Sequence, residues 1–410
     1  MAMTLREETL KLHMENNGKI CVATKVPIEN AHDLAVVYTP GVAEPCKEIK
    51  VNKDLSFEYT CRGNMVAVIT DGTRVLGLGN IGPEAGMPVM EGKCALFKNF
   101  ADVDAVPVCL DTQDPDEFVK IVRALQPNYA GINLEDISSP KCYDIEDRCK
   151  EVCDIPVFHD DQHGTAIAVL SAVFGALRFV KKDFKTAKFV VNGCGAAGSA
   201  IGRLLVNLGA TNVIMVEKVG ALYDGIDAKL DRIQTYLSKV TNKNKEKGTL
   251  ADVAKGADVL IGLSGPNLFT KEIMQSMAPK SIVFACANPV PETTYAAAKE
   301  AGVAVCGTGR SDSPNQVNNV TVFPGVFRGA IDVRAKAITE EMKVAAVHAI
   351  ANLIDEKDLR EDYVVPSAFD PRVAPAVAEA VARVAIEQGL ARKIVDPAEV
   401  KANTMKRVGR

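Results

Sequence analysis

The chain has 410 residues, of which 47% are hydrophobic and 24% charged, and its formal net charge is −4. This length predicts two domains, and the slightly acidic balance argues against nucleic acid as the main partner, because phosphate binding needs a basic field. No membrane partner is expected, since the first residues lack a signal-peptide core. The uncharged run Gly164 to Leu177 is too short to span a bilayer and predicts a buried helix.

The first part of the chain mixes short helices with apolar runs that predict strands. These runs are Met65 to Thr70, Ala105 to Leu110, Tyr129 to Leu134 and Ile155 to Phe158. Two carboxylates, Glu135 and Asp136, directly follow the third run, and Asp160 and Asp161 follow the fourth after His159. Chemistry in α/β proteins collects at strand ends, and grouped carboxylates repel one another unless a cation lies among them. Oxygen ligands without a thiolate favour Mg²⁺ or Mn²⁺.

From Lys188 onward, apolar strands alternate with helical stretches, which indicates a parallel sheet covered by helices. The first of these strands, Phe189 to Asn192, leads into a GxGxxG loop and then a helical run. This is the context that a dinucleotide-binding site requires, because the glycines allow a tight turn, a close pyrophosphate and close helix packing. The loop consists of Gly193, Cys194, Gly195, Ala196, Ala197 and Gly198.

The next strand ends in Glu217, the position of an acid that holds ribose hydroxyls. A carboxylate there favours NAD because it repels a 2′-phosphate. The adjacent Lys218 softens this preference, so NADP stays open.

The sequence therefore predicts an α/β protein with two domains. Residues 1–165 form an N-terminal α/β catalytic domain with the metal and substrate groups. Residues 166–410 form a Rossmann-like doubly wound dinucleotide-binding domain, followed within it by an alanine-rich, helical C-terminal segment from residue 330. The eleven scattered cysteines form neither a paired framework nor a zinc pattern, which favours reduced thiols and a cytoplasmic location.

Three further segments carry reactive residue types: Tyr38 before a Pro-Gly turn, Arg74 after a strand, and Lys93 at the start of an apolar helical run. Taken singly, each is more simply a structural residue. Together with the carboxylates and the glycine-rich loop, they resemble the malic enzyme family over nearly the whole chain. The matching segments are Tyr38 to Ala43, Thr70 to Gly79, Glu91 to Phe97, Asn133 to Asp136, Phe158 to Thr165, Gly193 to Gly198, Ala287 to Pro289 and Asn318 to Gly325.

The resemblance implies oxidation of L-malate by NAD⁺ or NADP⁺ and decarboxylation to pyruvate and CO₂, with Mg²⁺ or Mn²⁺, in a homodimer. It makes Lys93 the general base, which needs a lowered pKa, and Tyr38 the general acid. The other implied roles are metal binding by Glu135, Asp136 and Asp161, orientation of Lys93 by Asp160, substrate binding by Arg74, Asn288, Asn318 and Asn319, and a contribution of Asn288 to cofactor binding.

The chain departs from the family pattern at three positions. Glu217 replaces the usual Asp, Cys194 replaces the usual Ala, and His159, to which we assign no catalytic role, stands where some relatives carry Asn. Two alternatives stay open. One is a malolactic reaction, in which NAD is retained and lactate is released. The other is a catalytically silent NAD-sensing protein, which would be expected to have a broken site.

Overall fold

Four parallel strands form the first sheet of a computed structural model that describes residues 3–409. The strand order is β2-β1-β3-β4, and β1 lies between its partners with Val66 opposite both Ala105 and Gly131. Apolar β-branched residues fill these strands, as expected where helices cover both faces of a parallel sheet. The strands are β1 Met65–Thr70, β2 Asp104–Cys109, β3 Gly131–Leu134 and β4 Val157–His159.

The second sheet has six strands in the order β10-β9-β8-β5-β6-β7. All are parallel except the short edge strand β7. The chain leaves β5 toward β6 on one side and later returns to β8 on the other, which creates a crevice at the carboxyl end of β5. The strands are β5 Lys188–Asn192, β6 Asn212–Glu217, β7 Gly220–Ala221, β8 Val259–Gly262, β9 Ile282–Ala285 and β10 Val305–Thr308.

Helices connect and cover both sheets. Those of the first part of the chain are α1 Leu5–Asn16, α2 Ala31–Val37, α3 Ala43–Val51, α4 Ser56–Tyr59, α5 Pro83–Ala101, α6 Pro115–Leu125, α7 Lys141–Val152 and α8 Asp160–Val180. Those that follow β5 are α9 Ala196–Asn207, α10 Arg232–Val240, α11 Leu250–Val253, α12 Lys271–Gln275, α13 Tyr295–Glu300, α14 Phe323–Asp332, α15 Glu340–Ala351, α16 Val373–Glu387 and α17 Pro397–Val408.

The C-terminal helices pack on the first sheet's layer as well as on the second. The ring of Phe97 on α5 lies 4.6 Å from the ring of Phe323 and 5.3 Å from that of Phe327, both on α14. Helix α8 runs through the boundary predicted at residue 165, so that division stays a prediction. This helix is long and apolar enough to cross a membrane by composition, but 78% of its most apolar window is buried inside the protein.

The N-terminal residues are less buried than the rest of the chain. We call residues 3–56 the N-terminal arm. Helices α1, α2 and α3 of this arm contain no buried residue. Several large apolar side chains of the arm are therefore exposed to solvent, among them Leu5, Met14, Val22, Val36 and Val51. Exposed apolar side chains grouped on one segment commonly mark a surface that contacts another protein.

Candidate active site

Three carboxylates meet at the carboxyl ends of β3 and β4. Glu135 and Asp136 follow β3, and Asp161 lies in the first turn of α8, which begins directly after β4. One ligand oxygen from each of the three lies within 4.8 Å of the others. The Asp136 N–H also donates to Asp161 Oδ2 at 2.7 Å. The pairing of β3 with β4 therefore produces the cluster that the sequence predicted.

Burial and mutual repulsion raise the pKa of Glu135 and Asp136, whereas His159 lowers the pKa of Asp161 against the effect of its burial. Burial and the neighbouring Asp161 raise the pKa of Asp136 to about 7. Burial raises the pKa of Glu135 well above its ordinary value, although the charge of Lys93 opposes this. Asp136 Oδ2 is buried without a hydrogen-bond partner among the described residues. Three hard oxygen donors, one of them without a partner, fit a divalent cation such as Mg²⁺ or Mn²⁺.

Lys93 projects from α5 into this group of acids. Its Nζ donates to Glu135 Oε1 at 3.1 Å and forms a buried ion pair with Asp160. Its ammonium also lies 4.0 Å from the centre of the Phe323 ring, a cation–π contact. The Asn319 amide donates to the same Asp160 carboxylate, so Asn319 helps to hold the acid that orients Lys93.

Without a cation among the acids, the pKa of Lys93 is raised and not lowered. Burial does lower the pKa of Lys93, but the charges of Asp160 and Glu135 outweigh it and raise the pKa above its ordinary value. The fold places the Asp160 and Glu135 carboxylates around the ammonium, and the sequence alone does not show this proximity. A divalent cation among the acids would repel the ammonium and shift its pKa downward.

The glycine-rich loop has the predicted strand–turn–helix context. Gly193 has a φ of 107°, a conformation that favours glycine, and Gly198 lies against the Gly193 carbonyl. The loop ends at α9, whose first N–H groups face the crevice and suit a phosphate. Glu217, at the end of β6, accepts hydrogen bonds from the N–H groups of Cys194 at 2.9 Å and Lys218 at 3.0 Å.

A cleft of about 680 Å³ connects the acidic cluster with the glycine-rich loop. It is lined from one side by acids and Lys93 and from the other by the glycine-rich loop. The predicted residues that line it are Arg74, Lys93, Glu135, Asp136, Asp161, Gly195, Ala196, Ala197, Gly198, Asn288, Asn318 and Asn319. Asp160 lies directly behind Lys93, while Gly193, Cys194, Glu217 and Lys218 lie outside the lining.

Tyr38 does not reach this cleft in its own chain. It follows helix α2 in the N-terminal arm, is 66% exposed and is absent from the cleft lining. The general-acid role that the resemblance implies for Tyr38 would therefore require a cleft other than that of its own chain.

Sequence reasoning missed a line of buried polar groups behind the cluster. His159 lies 3.2 Å from Asp161 and Gln162 links it to Glu146. Glu146 also contacts His163 at 2.7 Å, and Lys343 reaches His163 at 3.1 Å. From the sequence, His159 is assigned no catalytic role, because its neighbours already account for the site. Nothing in the sequence relates positions 146 and 343 to the acids.

Glu292 is a second residue that was missed. Its buried carboxylate accepts from the N–H groups of Ser264 at 2.9 Å and Ala287 at 3.0 Å. It therefore joins the two loops that follow β8 and β9, both of which line the cleft on the glycine-rich side. The signal in the sequence that could have identified Glu292 is an acid three residues after the Asn288-Pro289 pair.

Comparison with known proteins agrees with this geometry. Residues 17–150 match the family model of the malic enzyme N-terminal domain, and residues 162–386 match that of the malic enzyme NAD-binding domain. A bifunctional malic/malolactic enzyme of Bacillus subtilis is 54% identical over 98% of both chains. An NAD-dependent malic enzyme of Geobacillus stearothermophilus is 48% identical over 95% of this chain and 81% of its own.

Solved structures agree as well. The crystal structure of malic enzyme from Pyrococcus horikoshii superimposes with a TM-score of 0.95 and 44% identity, covering 99% of this chain and 96% of that one. The two domain models, the relatives and the shared fold cover both halves of the cleft. The chain therefore belongs to the malic enzyme family.

Proposed function

We propose that this protein oxidises L-malate with NAD⁺ or NADP⁺ and decarboxylates the product to pyruvate and CO₂. One observation carries the proposal: Lys93 contacts Asp160 and Glu135 beside the three carboxylates, in the same cleft as the glycine-rich loop. A base, a cation site and a dinucleotide site in one cleft are the components that hydride transfer from a hydroxy acid needs.

In the proposed reaction, Lys93 takes the proton of the malate C2 hydroxyl while hydride leaves C2 for the nicotinamide. The C3–C4 bond then breaks, its electron pair forms the enolate of pyruvate, and C4 leaves as CO₂. Protonation at C3 by Tyr38, whose phenol is the proton donor, completes pyruvate. Arg74, which lines the cleft and forms no ion pair among residues 3–409, would bind a malate carboxylate.

The acids Glu135, Asp136 and Asp161 would hold Mg²⁺ or Mn²⁺. When bound, such a cation polarises the C2 oxygen and stabilises negative charge on it. Asp160 keeps Lys93 directed at the substrate side of the cluster, and its contact with Asn319 limits its movement.

NAD is the favoured cofactor in this proposal. Glu217 stands where the ribose hydroxyls of the adenosine half bind, and its position is held by two backbone N–H groups. Its charge disfavours a 2′-phosphate, while the exposed Lys218 beside it reduces the discrimination.

We propose a homodimer, which would account for the position of Tyr38. The unburied helices of the N-terminal arm would bury their apolar side chains against a second copy, and Tyr38 would enter the partner's cleft. We also propose a reducing, cytoplasmic location, supported by eleven cysteines that form no disulfide within residues 3–409.

The first experiment follows absorbance at 340 nm with L-malate and Mn²⁺, using NAD⁺ and NADP⁺ side by side, and then assays pyruvate and L-lactate. Reduced cofactor with equal pyruvate supports the proposal. Lactate without net reduced cofactor would support the malolactic alternative, which the B. subtilis relative makes worth testing. Reduced cofactor without pyruvate would remove Tyr38 from its role, and no product at all would contradict the proposal.

Complementation tests the shared site. Tyr38→Phe and Lys93→Ala proteins are each expected to form little pyruvate alone. After mixing, half of the dimers pair one copy of each, and each such dimer contains one site with both groups intact. About a quarter of wild-type pyruvate formation should return. No recovery in mixed dimers, verified by a tag on each copy, would place Tyr38 in its own chain's site.

A further inference from the structure

A second cavity, of about 420 Å³, lies at the far ends of α5 and α14 from the acids. It is bounded by the start of β2, the C-terminal turns of both helices and the end of α17. Six cationic side chains and three carboxylates line it. The cations are Lys25, Lys98, Arg328, Arg334, Lys393 and Arg407, and the carboxylates are Asp102, Asp104 and Asp332.

The carboxylates do not balance these cations. Lys98 alone contacts both Asp102 at 2.6 Å and Asp104 at 2.8 Å. Lys393 has no ion pair among residues 3–409, and Arg407 approaches Asp102 only to 3.6 Å. The C-terminal ends of α5 and α14 each add a partial negative charge of roughly one half. Glu58, outside the lining, pairs with Arg334 at 2.8 Å. Six cations against four carboxylates and two helix ends of about one half each leave a net charge of about +1.

Arg328 is the most deeply buried cation that lines this cavity. It is only 2% exposed, its Nη1 donates to Asn64 at 2.6 Å, and it is paired with Asp332. Its Nε has no partner among the described residues. Burial lowers the pKa of Arg328, and the nearby Arg407 contributes in the same direction although Asp332 opposes both.

Three arginines surround the Phe57 ring at the cavity wall, and one of them, Arg334, also lines the cavity. The guanidinium carbons of Arg62, Arg334 and Arg392 lie 4.0, 5.6 and 5.9 Å from the centre of that ring. Ion pairs that only held the C-terminal helices in place would need no surplus of cations and no open volume. A surplus of cations beside an open volume suits an anionic ligand.

The cavity shares two helices with the active site. Helix α5 carries both Lys93 and Lys98, while α14 begins at Phe323, against Lys93, and continues to Arg328 and Asp332. A shift of either helix at the cavity would therefore move a group that contacts the proposed base.

We propose that this cavity binds a compact multivalent oxyanion, a di- or tricarboxylate or a phosphate compound, and that its occupancy changes turnover of malate. The ligand class follows from guanidinium groups, which bind carboxylate and phosphate oxygens in pairs. The site is separate from the cleft and would act as a regulatory site.

Calorimetric titration of the metal-free, full-length protein with inorganic phosphate and with tricarballylate tests the binding, using chloride at equal ionic strength as the reference. Binding of phosphate alone indicates a phosphorylated ligand, and binding of tricarballylate alone indicates a carboxylate. Binding of both indicates selection by charge. Binding of neither would overturn the proposal.

Arg407→Gln and Lys393→Gln should each weaken binding at least tenfold. Lys406→Gln is the matched control, because it removes the same charge one residue away on α17, is exposed and does not line the cavity. All three variants should unfold at the wild-type temperature. Equal binding by Arg407→Gln and the wild type would show that the anion binds elsewhere, such as at Arg74, and would contradict the proposal.

Kinetics test the coupling. With NAD⁺ and excess Mn²⁺, the probe that binds should change kcat or KM for malate by at least twofold in the wild type and in Lys406→Gln. Arg407→Gln should show no change at the same concentration. Binding that leaves both constants unaltered in the wild type would overturn the regulatory part of the proposal.

Discussion

Replacing Gly195 with alanine should weaken cofactor binding without weakening the fold. Gly195 has φ −72° and ψ −164°, a conformation open to any residue. A Cβ added there meets only Ser139 Oγ, at 4.0 Å. Because alanine restricts the unfolded chain, the variant should be as stable as the wild type or more stable by up to about 1 kcal/mol.

The added methyl group would stand at the entrance to α9, where a pyrophosphate must approach the backbone. Losing one hydrogen bond from a backbone N–H to a charged phosphate costs about 1.5–3 kcal/mol. This corresponds to a roughly 10- to 100-fold rise in the dissociation constant for NAD. Calorimetric titration with NAD⁺ and a thermal unfolding curve measure the two quantities on the same sample.

Gly198→Val is the contrasting variant, since a Cβ there would stand 1.8 Å from the Gly193 carbonyl oxygen. The clash lies inside the fold, so this variant should lose about 1–3 kcal/mol of stability. If Gly195→Ala bound NAD as tightly as the wild type, or if it unfolded as early as Gly198→Val, the assignment of the two glycines would be wrong.

Three further outcomes are expected. Lys93→Ala should lower the rate at which absorbance at 340 nm rises with malate at least ~100-fold. Near-normal turnover would exclude Lys93 as the base. Glu217→Ser should raise the ratio of kcat/KM for NADP⁺ to that for NAD⁺ at least about tenfold by removing a charge near the 2′ position, and an unchanged ratio would remove Glu217 from cofactor selection. Burial, with a contribution from Lys343 and against the charge of Glu146, lowers the pKa of His163 from 6.5 to about 3. Below pH 6.5 the unfolded chain therefore binds a proton at this histidine that the folded protein does not bind. The free energy of unfolding falls as the pH falls. In urea titrations at pH 8 and pH 5, His163→Gln should show a decline smaller than that of the wild type by about 2 kcal/mol, whereas parallel declines would contradict the shift.

Local features of this protein could be predicted from the sequence. The predicted strand Met65 to Thr70 matches β1 at both ends, and Gly164 to Leu177 lies within the buried helix α8. The glycine-rich loop was recognisable because a strand, a turn and a helix N-terminus follow one another directly in the chain. The acids after β3 and β4 could be grouped in advance, since neighbouring parallel strands end at the same edge of a sheet.

The tertiary structure alone decided how distant groups meet. Lys93 and Asp160 are 67 positions apart, and His163 and Lys343 are 180 apart. No periodicity relates such positions, because their separation depends on the path of several intervening elements. The direction of the Lys93 pKa depended on the same packing: the charge of an amine in a buried site is set by the acids around it, and only the folded chain determines which acids these are. The exposure of Tyr38 and the cationic cavity around Arg328 also arise from how whole helices pack, since burial is a property of surfaces brought together and not of residue type.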